Sequence, residues 1–213
     1  MSIGCALAET GKSEVIDEDF EGAADTAPNP EMWQTTGGHV LLDGDGHVVF
    51  DSSAENGYQS LASEKEFTPV ANKTFASITF ENLGGPAMLF NMVAGLLAQG
   101  DQNTADYIYV RTDMGNDVWT IDIKSDGHRA SLPTQVPKSV RGTWKIEWRD
   151  GAVQIYLDEQ LEFDSNSTPP AAGDIWQIPT LGLRPYIGGS GGQIMKLDRI
   201  RWQEVPVGNG EAK

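Results

Sequence analysis

Tyrosine, cationic and acidic side chains recur at every second position along several short segments of this 213-residue chain. Tyr107, Tyr109 and Arg111 form one such set, and Thr120, Asp122 and Lys124 a second. Lys145, Glu147 and Arg149 form a third, with Gln154 and Tyr156 on the segment that follows and Arg184 and Tyr186 further on. A period of two places alternate side chains on one face of a strand. Flat aromatic rings suit the apolar face of a pyranose, and guanidinium, carboxylate and amide groups suit its hydroxyls. These residues, Thr120 and Lys145 apart, are therefore expected to line a sugar-binding groove on a curved sheet, with Trp176 and Trp33 as aromatic platforms from neighbouring loops. The plain alternative is a solvated sheet face made of cross-strand Lys, Glu and Arg pairs.

Hydrolysis of a glycosidic bond needs two carboxylates, about 5–5.5 Å apart with retention or about 6.5–9.5 Å apart with inversion. Asp122 and Glu147 are the best pair on the polar faces, although a chain with 31 acidic residues supplies some such pair by chance. A lyase needs a base beside a uronate and a cation on its carboxylate. Tyr107 or Tyr109 with Arg111, or His128 with Arg129, have those types, but His128 follows Ser125-Asp126-Gly127 and reads as a turn residue. His39 and His47 flank a short turn and lack a third ligand for zinc. Calcium fits the hard oxygen donors better. Asp17, Asp19 and Glu21 are expected on one face of an opening strand. Asp43-Gly44-Asp45-Gly46 lacks the further ligands of a calcium-binding loop and reads as the turn of a hairpin.

The elements that position these residues are strands. Two hairpins carry most of them: Tyr107 to Ile123 about a Met114-Gly115 turn, and Thr143 to Leu157 about Asp150-Gly151, a strong turn dipeptide. Their apolar faces are Ile108, Val110, Trp119, Ile121 and Ile123, and Trp144, Ile146, Trp148, Val153, Ile155 and Leu157. Further strands are expected at 15–21, 39–42, 47–50, 58–61, 74–80, 181–187 and 196–202. Ala87 to Ala98 fits either a helix or a buried strand broken at Gly95. With 24 Gly and 11 Pro punctuating short segments, the fold class is all-β, a two-sheet antiparallel sandwich. Residues 14–205 form that domain, 1–13 a flexible leader or export-signal remnant, and 206–213 a loose tail.

Composition narrows the function. A hydrophobic content of 39% with six Trp is too high for a disordered acidic chain. A formal charge of −16 argues against nucleic acid and anionic membrane as partners. It also favours a neutral sugar over an anionic one, unless Arg111, Lys124, Arg149 and Arg184 cluster. One cysteine, Cys5, excludes an intramolecular disulfide, and no apolar run is long enough to span a bilayer. Gly4-Cys5 loosely matches the cleavage point of bacterial lipoproteins, so Cys5 is a candidate lipid anchor on an exported protein.

Three pieces together carry a family resemblance: Asp19-Phe20-Glu21 followed by Trp33, the hairpin from Gly142 to Asp158, and the closing Leu197-Asp198-Arg199-Ile200-Arg201-Trp202. The chain from about 15 to 203 resembles the concanavalin A-like lectin/glucanase jelly rolls, especially laminin-G-like bacterial domains. Glu159 stands where that hairpin usually has Gly. The E-x-D-x-E strand of laminarinase-type glycosidases is absent, its nearest counterpart being Thr120-Ile121-Asp122-Ile123-Lys124. The Arg, Gln-x-His and Tyr motifs of the alginate-lyase type find no close match. The resemblance implies a structural calcium near the terminal strands, with Glu21 and Asp198 as its ligands. The expectation is an exported module that binds a poly- or oligosaccharide without transforming it. Rival readings are a glycoside hydrolase or polysaccharide lyase on the same sandwich, and a structural or adhesive module with a protein partner.

Overall fold

Period-two patterning becomes strands throughout the computed structural model, which describes residues 13–51, 57–66, 74–84, 91–98, 105–112, 117–149, 151–170, 175–180, 182–190 and 194–206. In chain order the strands are β1 (Ser13–Glu18), β2 (Trp33–Thr36), β3 (Val40–Leu42), β4 (Val48–Asp51) and β5 (Gln59–Ser63). Next come β6 (Thr74–Gly84), β7 (Asn91–Ala98), β8 (Tyr107–Thr112), β9 (Val118–Ser125) and β10 (His128–Pro137). The chain continues through β11 (Gly142–Arg149), β12 (Ala152–Leu157), β13 (Gln160–Asp164), β14 (Leu183–Ser190) and β15 (Ile194–Pro206). The leader with Cys5 and the tail beyond Pro206 lie outside the described residues, as do Met114-Gly115 and Ala87 to Phe90.

The strands make two antiparallel sheets. One has the order β13-β12-β11-β6-β15-β4-β3, with β1 on the same edge of β15 as β4; the other has the order β10-β9-β8-β7-β14-β5-β2. Both hairpins bury the faces their alternation indicates: Ile108, Val110, Trp119, Ile121 and Ile123 meet Trp144, Ile146, Trp148, Val153 and Ile155 in one core cluster. Trp119 of one sheet and Trp144 of the other lie with ring centroids 5.1 Å apart. The Trp148 indole N–H donates to the Pro179 carbonyl at 2.7 Å. Each such ring withdraws about 150–250 Å² from water, an upper figure of about 4–6 kcal/mol.

Three local features depart from the sequence expectation. The 87–98 segment is a strand that runs through Gly95 unbroken, since Gly95 pairs with Tyr109 on one side and Tyr186 on the other. The opening strand stops at Glu18 because Phe20 enters the left-handed region (φ 56) and buries its ring against Trp33. Strands β2, β10 and β13 come from segments that carry no strong strand pattern. β10 contains Pro133 and Pro137, which a sheet tolerates at an edge, and β10 is an edge strand.

Candidate functional site

Registers on the outward face of the second sheet set up three cross-strand rows over β14, β7, β8, β9 and β10. They read Arg184–Leu97–Tyr107–Lys124–Arg129, then Tyr186–Gly95–Tyr109–Asp122–Ser131, then Gly188–Val93–Arg111–Thr120–Pro133. A two-residue turn at Met114-Gly115 would have set Tyr109 opposite Thr120; the structure sets it opposite Asp122. A shift of two residues preserves the faces, so the in-or-out assignment survives while the neighbours change.

Asp122 is the centre of this face. It is 1% exposed, and it is the single acidic residue in the seven strands of the sheet. Arg129 grips it with two hydrogen bonds, Nε to Oδ1 at 2.9 Å and Nη2 to Oδ2 at 2.6 Å. The Ser131 hydroxyl donates to Oδ1 at 2.9 Å, the Tyr107 hydroxyl lies 3.4 Å from Oδ2, and Arg111 Nε lies 3.0 Å from Oδ2. Desolvating a carboxylate costs several kcal/mol unless charge and hydrogen bonds compensate, and two guanidinium groups supply that compensation here.

Beside it the tyrosines pack on one another. Tyr107 and Tyr109 stack at 4.4 Å between centroids, Tyr109 and Tyr186 meet at 5.9 Å, and Tyr186 and Tyr58 share a hydroxyl contact at 3.1 Å. Tyr109 and Tyr186 pair with Gly95 from either side, and their rings meet although they are two strands apart. Burial first, and then the Asp122 charge, push the Tyr107 hydroxyl up to about 12, with Arg129 and Arg111 offsetting part of the effect. Burial and the neighbouring tyrosines hold Tyr109 well above its usual range, and its hydroxyl is buried without a partner. Tyr107, Tyr109 and Tyr186 are all buried, so their rings are packing elements rather than open platforms.

Tyr107, Tyr109, Arg111, Asp122, Lys124, Arg184 and Tyr186 thus come together. Glu147, Arg149 and Tyr156 do not join them, because β11 and β12 belong to the other sheet. The proposed pair of Asp122 and Glu147 is therefore not a pair. On that other face Lys145 Nζ lies 3.3 Å from both Glu147 and Glu159 and 4.4 Å from the Tyr156 ring centroid. Gln154 donates to Asp164 at 2.9 Å, and the Tyr156 hydroxyl donates to Gln154 at 3.0 Å. This is the solvated cross-strand chemistry of the plain alternative. A cleft of about 90 Å³ beside Glu147 and Gln154 is well under the roughly 300 Å³ of small ligand pockets.

The two loop tryptophans also differ from expectation. Trp33 is on β2, buried, with its indole N–H on Glu18 at 3.1 Å. Trp176 lies in a segment without strand structure, half-buried edge-on against Phe163 at 4.9 Å, and its N–H donates to the Thr168 carbonyl at 2.7 Å. Both have their polar atom satisfied internally. Arg129 and Ser131 were missed as ligands of Asp122, because the prolines of β10 hide an otherwise regular Arg129–Ser131–Pro133 alternation.

For a cation, Asp17 does not share a face with Glu21. The strand has ended, and Asp17 is gripped by Arg199 at 2.7 and 2.6 Å with Arg201 at 3.2 Å. Glu21 instead borders Gly46: a Cβ added at Gly46 would sit 3.5 Å from Glu21 Oε1 and 3.6 Å from the Asp19 carbonyl oxygen. Asp198 is one residue beyond the Leu197–Val48 pair, at the irregular part of β15. His39 and His47 do not face each other, since the His39 carbonyl accepts from Asp51 while the His47 ring bonds Asp43 at 2.8 Å. Among the described residues no group of three or more His, Cys, Asp or Glu is placed to hold a metal.

Neither a protein-family model nor a curated protein matches the chain. Solved structures do. An endo-1,3-β-glucanase from Streptomyces sioyaensis superimposes with a TM-score of 0.63 at 15% identity, covering 95% of this chain and 99% of that one. A pseudo-β-1,3-glucanase and immunostimulatory antigen of Mycobacterium tuberculosis gives 0.63 at 17% identity, over 89% and 98%. A glycosyl hydrolase family 16 protein from Mycobacterium smegmatis gives 0.60 at 20% identity, over 89% and 100%. The fold is the concanavalin A-like jelly roll. At these identities the likeness is one of fold, and the chemistry of the jelly roll's faces has to be read from its own side chains.

Proposed function

We propose that the protein binds a poly- or oligosaccharide, without cleaving it, on the outward face of the sheet that holds Asp122. The observation that carries this reading is the state of Asp122, the single acid in seven strands, with both oxygens engaged by Arg129, Ser131 and Tyr107 and Arg111 alongside. Two-carboxylate hydrolysis needs a second acid across the scissile bond, and Glu147 is on the other sheet. Elimination needs a base that releases its proton near neutral pH; Tyr109 is held well above its usual range and is protonated there. The glucanase and pseudo-glucanase folds support a saccharide as the ligand class.

A structural calcium belongs to the same proposal. Glu21 Oε1 and the Asp19 carbonyl border Gly46 in the turn before β4, and Asp198 follows the Leu197–Val48 pair; these are hard oxygen donors of the kind calcium takes, and Glu21 and Asp198 are its proposed ligands. Bound there, the ion would tie the terminal strands together.

The test is a polysaccharide screen that follows binding and products on one preparation. Retention on a glycan with no new reducing ends and no ultraviolet-absorbing unsaturated ends is the expected result. Release of either product, lost in Asp122→Asn, would overturn the non-catalytic reading.

A further inference from the structure

Seven of the eight residues from 165 to 172, just after β13, are Ser, Thr, Pro or Ala. Segments rich in hydroxyl residues and proline are common carriers of O-linked sugars. This one holds three hydroxyl side chains, Ser165, Ser167 and Thr168, and the fold treats them differently. The Ser165 hydroxyl oxygen accepts from the Val153 N–H at 3.0 Å and ties the turn to β12. Thr168 is half-buried, and its carbonyl accepts from the Trp176 indole at 2.7 Å. Ser167 is exposed, and its hydroxyl makes no hydrogen bond among the described residues.

The backbone holds Ser167 in that position. The N–H groups of Ser167 and Thr168 both donate to the Asp164 carbonyl, at 3.1 and 2.8 Å, and the Asn166 N–H donates to the Asp164 carboxylate at 2.8 Å. Pro169 and Pro170 have no N–H to offer a neighbouring strand, which keeps the exit from β13 out of the sheet. The cleft of about 90 Å³ that Glu147 and Gln154 line is also lined by Asn166, the residue before Ser167. That volume is too small for a free ligand, but a tethered sugar needs no separate capture and can set one edge there. A phosphate on the same hydroxyl fits less well. Gln154 and the Asn166 N–H hold the Asp164 carboxyl below its usual range, so a second anion would meet a charge already in place. A neutral sugar adds none.

We infer that Ser167 is the attachment site of an O-linked sugar. In the step, Ser167 Oγ attacks the anomeric carbon of a sugar that carries a phosphate leaving group. The bond from that carbon to Oγ forms, its bond to the phosphate oxygen breaks with the electron pair leaving on phosphate, and the hydroxyl proton passes to the transferase's base. The turn follows an edge strand of the sheet that lacks Asp122, so the inference stands apart from the saccharide-binding reading.

The experiment measures the intact mass of the full chain recovered from its own cells, for wild type, Ser167→Ala, Thr168→Val and Asn166→Gln, with electron-transfer fragmentation to place any added mass. The expected result is an excess of whole sugar residues on wild type, carried by Ser167 and released by mild alkali. It should be lost in Ser167→Ala and kept in the other two variants. Should Ser167→Ala fold poorly by circular dichroism, fragmentation of the wild type still places the sugar. A wild-type chain with no sugar-sized excess would overturn the inference. So would a sugar on Asn166 or Thr168 in place of Ser167.

Discussion

At Asp122 a carboxylate taken almost wholly out of water is held by Arg129 and Arg111. Asp122→Asn leaves both arginines without their counter-charge. Fully buried pairs cost about 3–5 kcal/mol when broken, and the half-exposed Arg129 brings the expected loss to about 2–3 kcal/mol. The check is the urea midpoint at unchanged slope. Asp43 makes a separate prediction. Burial opposes its ionisation, but Lys196, the backbone N–H of Asp45 and both the ring and the backbone N–H of His47 outweigh that and hold its carboxyl well below the usual range. A depressed folded-state pKa gives stability that is full above the unfolded value of about 3.9 and is lost as pH falls below it. Between pH 5 and 2.5 the melting temperature of wild type should fall more steeply than that of Asp43→Asn. Parallel curves would contradict this.

The strand is the scale at which the sequence spoke most clearly, and also where it fell silent. Alternation identified both hairpins and their buried faces residue by residue, because it reports directly on in and out. It carries no information on which of two sheets a hairpin joins, and so Asp122 and Glu147 looked like neighbours although they lie on different sheets. Arg129, paired with His128 in the sequence reading, was not placed beside Asp122 because Pro133 and Pro137 mask an edge strand as a loop. Trp33 looked exposed because its strand is only four residues long. β7 adds a prediction at this scale. A Cβ at Gly95, where φ is +149, would collide with the Ile108 carbonyl oxygen and crowd Ile146 of the facing sheet. Gly95→Ala should cost about 2–4 kcal/mol from strain and overpacking together, seen as a lower melting temperature. A change within 0.5 kcal/mol would mean the strand relaxes around the methyl group.

Across the described strands it is the acids that are unevenly placed: the strands of the Asp122 sheet hold that one acid, while both sheets carry several cations. The terminal strands meet on the other sheet, where Glu21, the Asp19 carbonyl and Asp198 are the proposed calcium donors. Chelation should lower the melting temperature by several degrees and added calcium should restore it; no change would remove calcium from the account. The central claim, that the Asp122 sheet and not the opposite face holds the saccharide, is tested most directly by one comparison on the glycan that wild type retains. Affinity for it is measured for Arg111→Gln combined with Lys124→Gln, and for Glu147→Gln combined with Tyr156→Ala. The account predicts that the first double variant loses at least about tenfold in affinity while the second binds like wild type. Loss confined to the second, or equal binding by both, would contradict it.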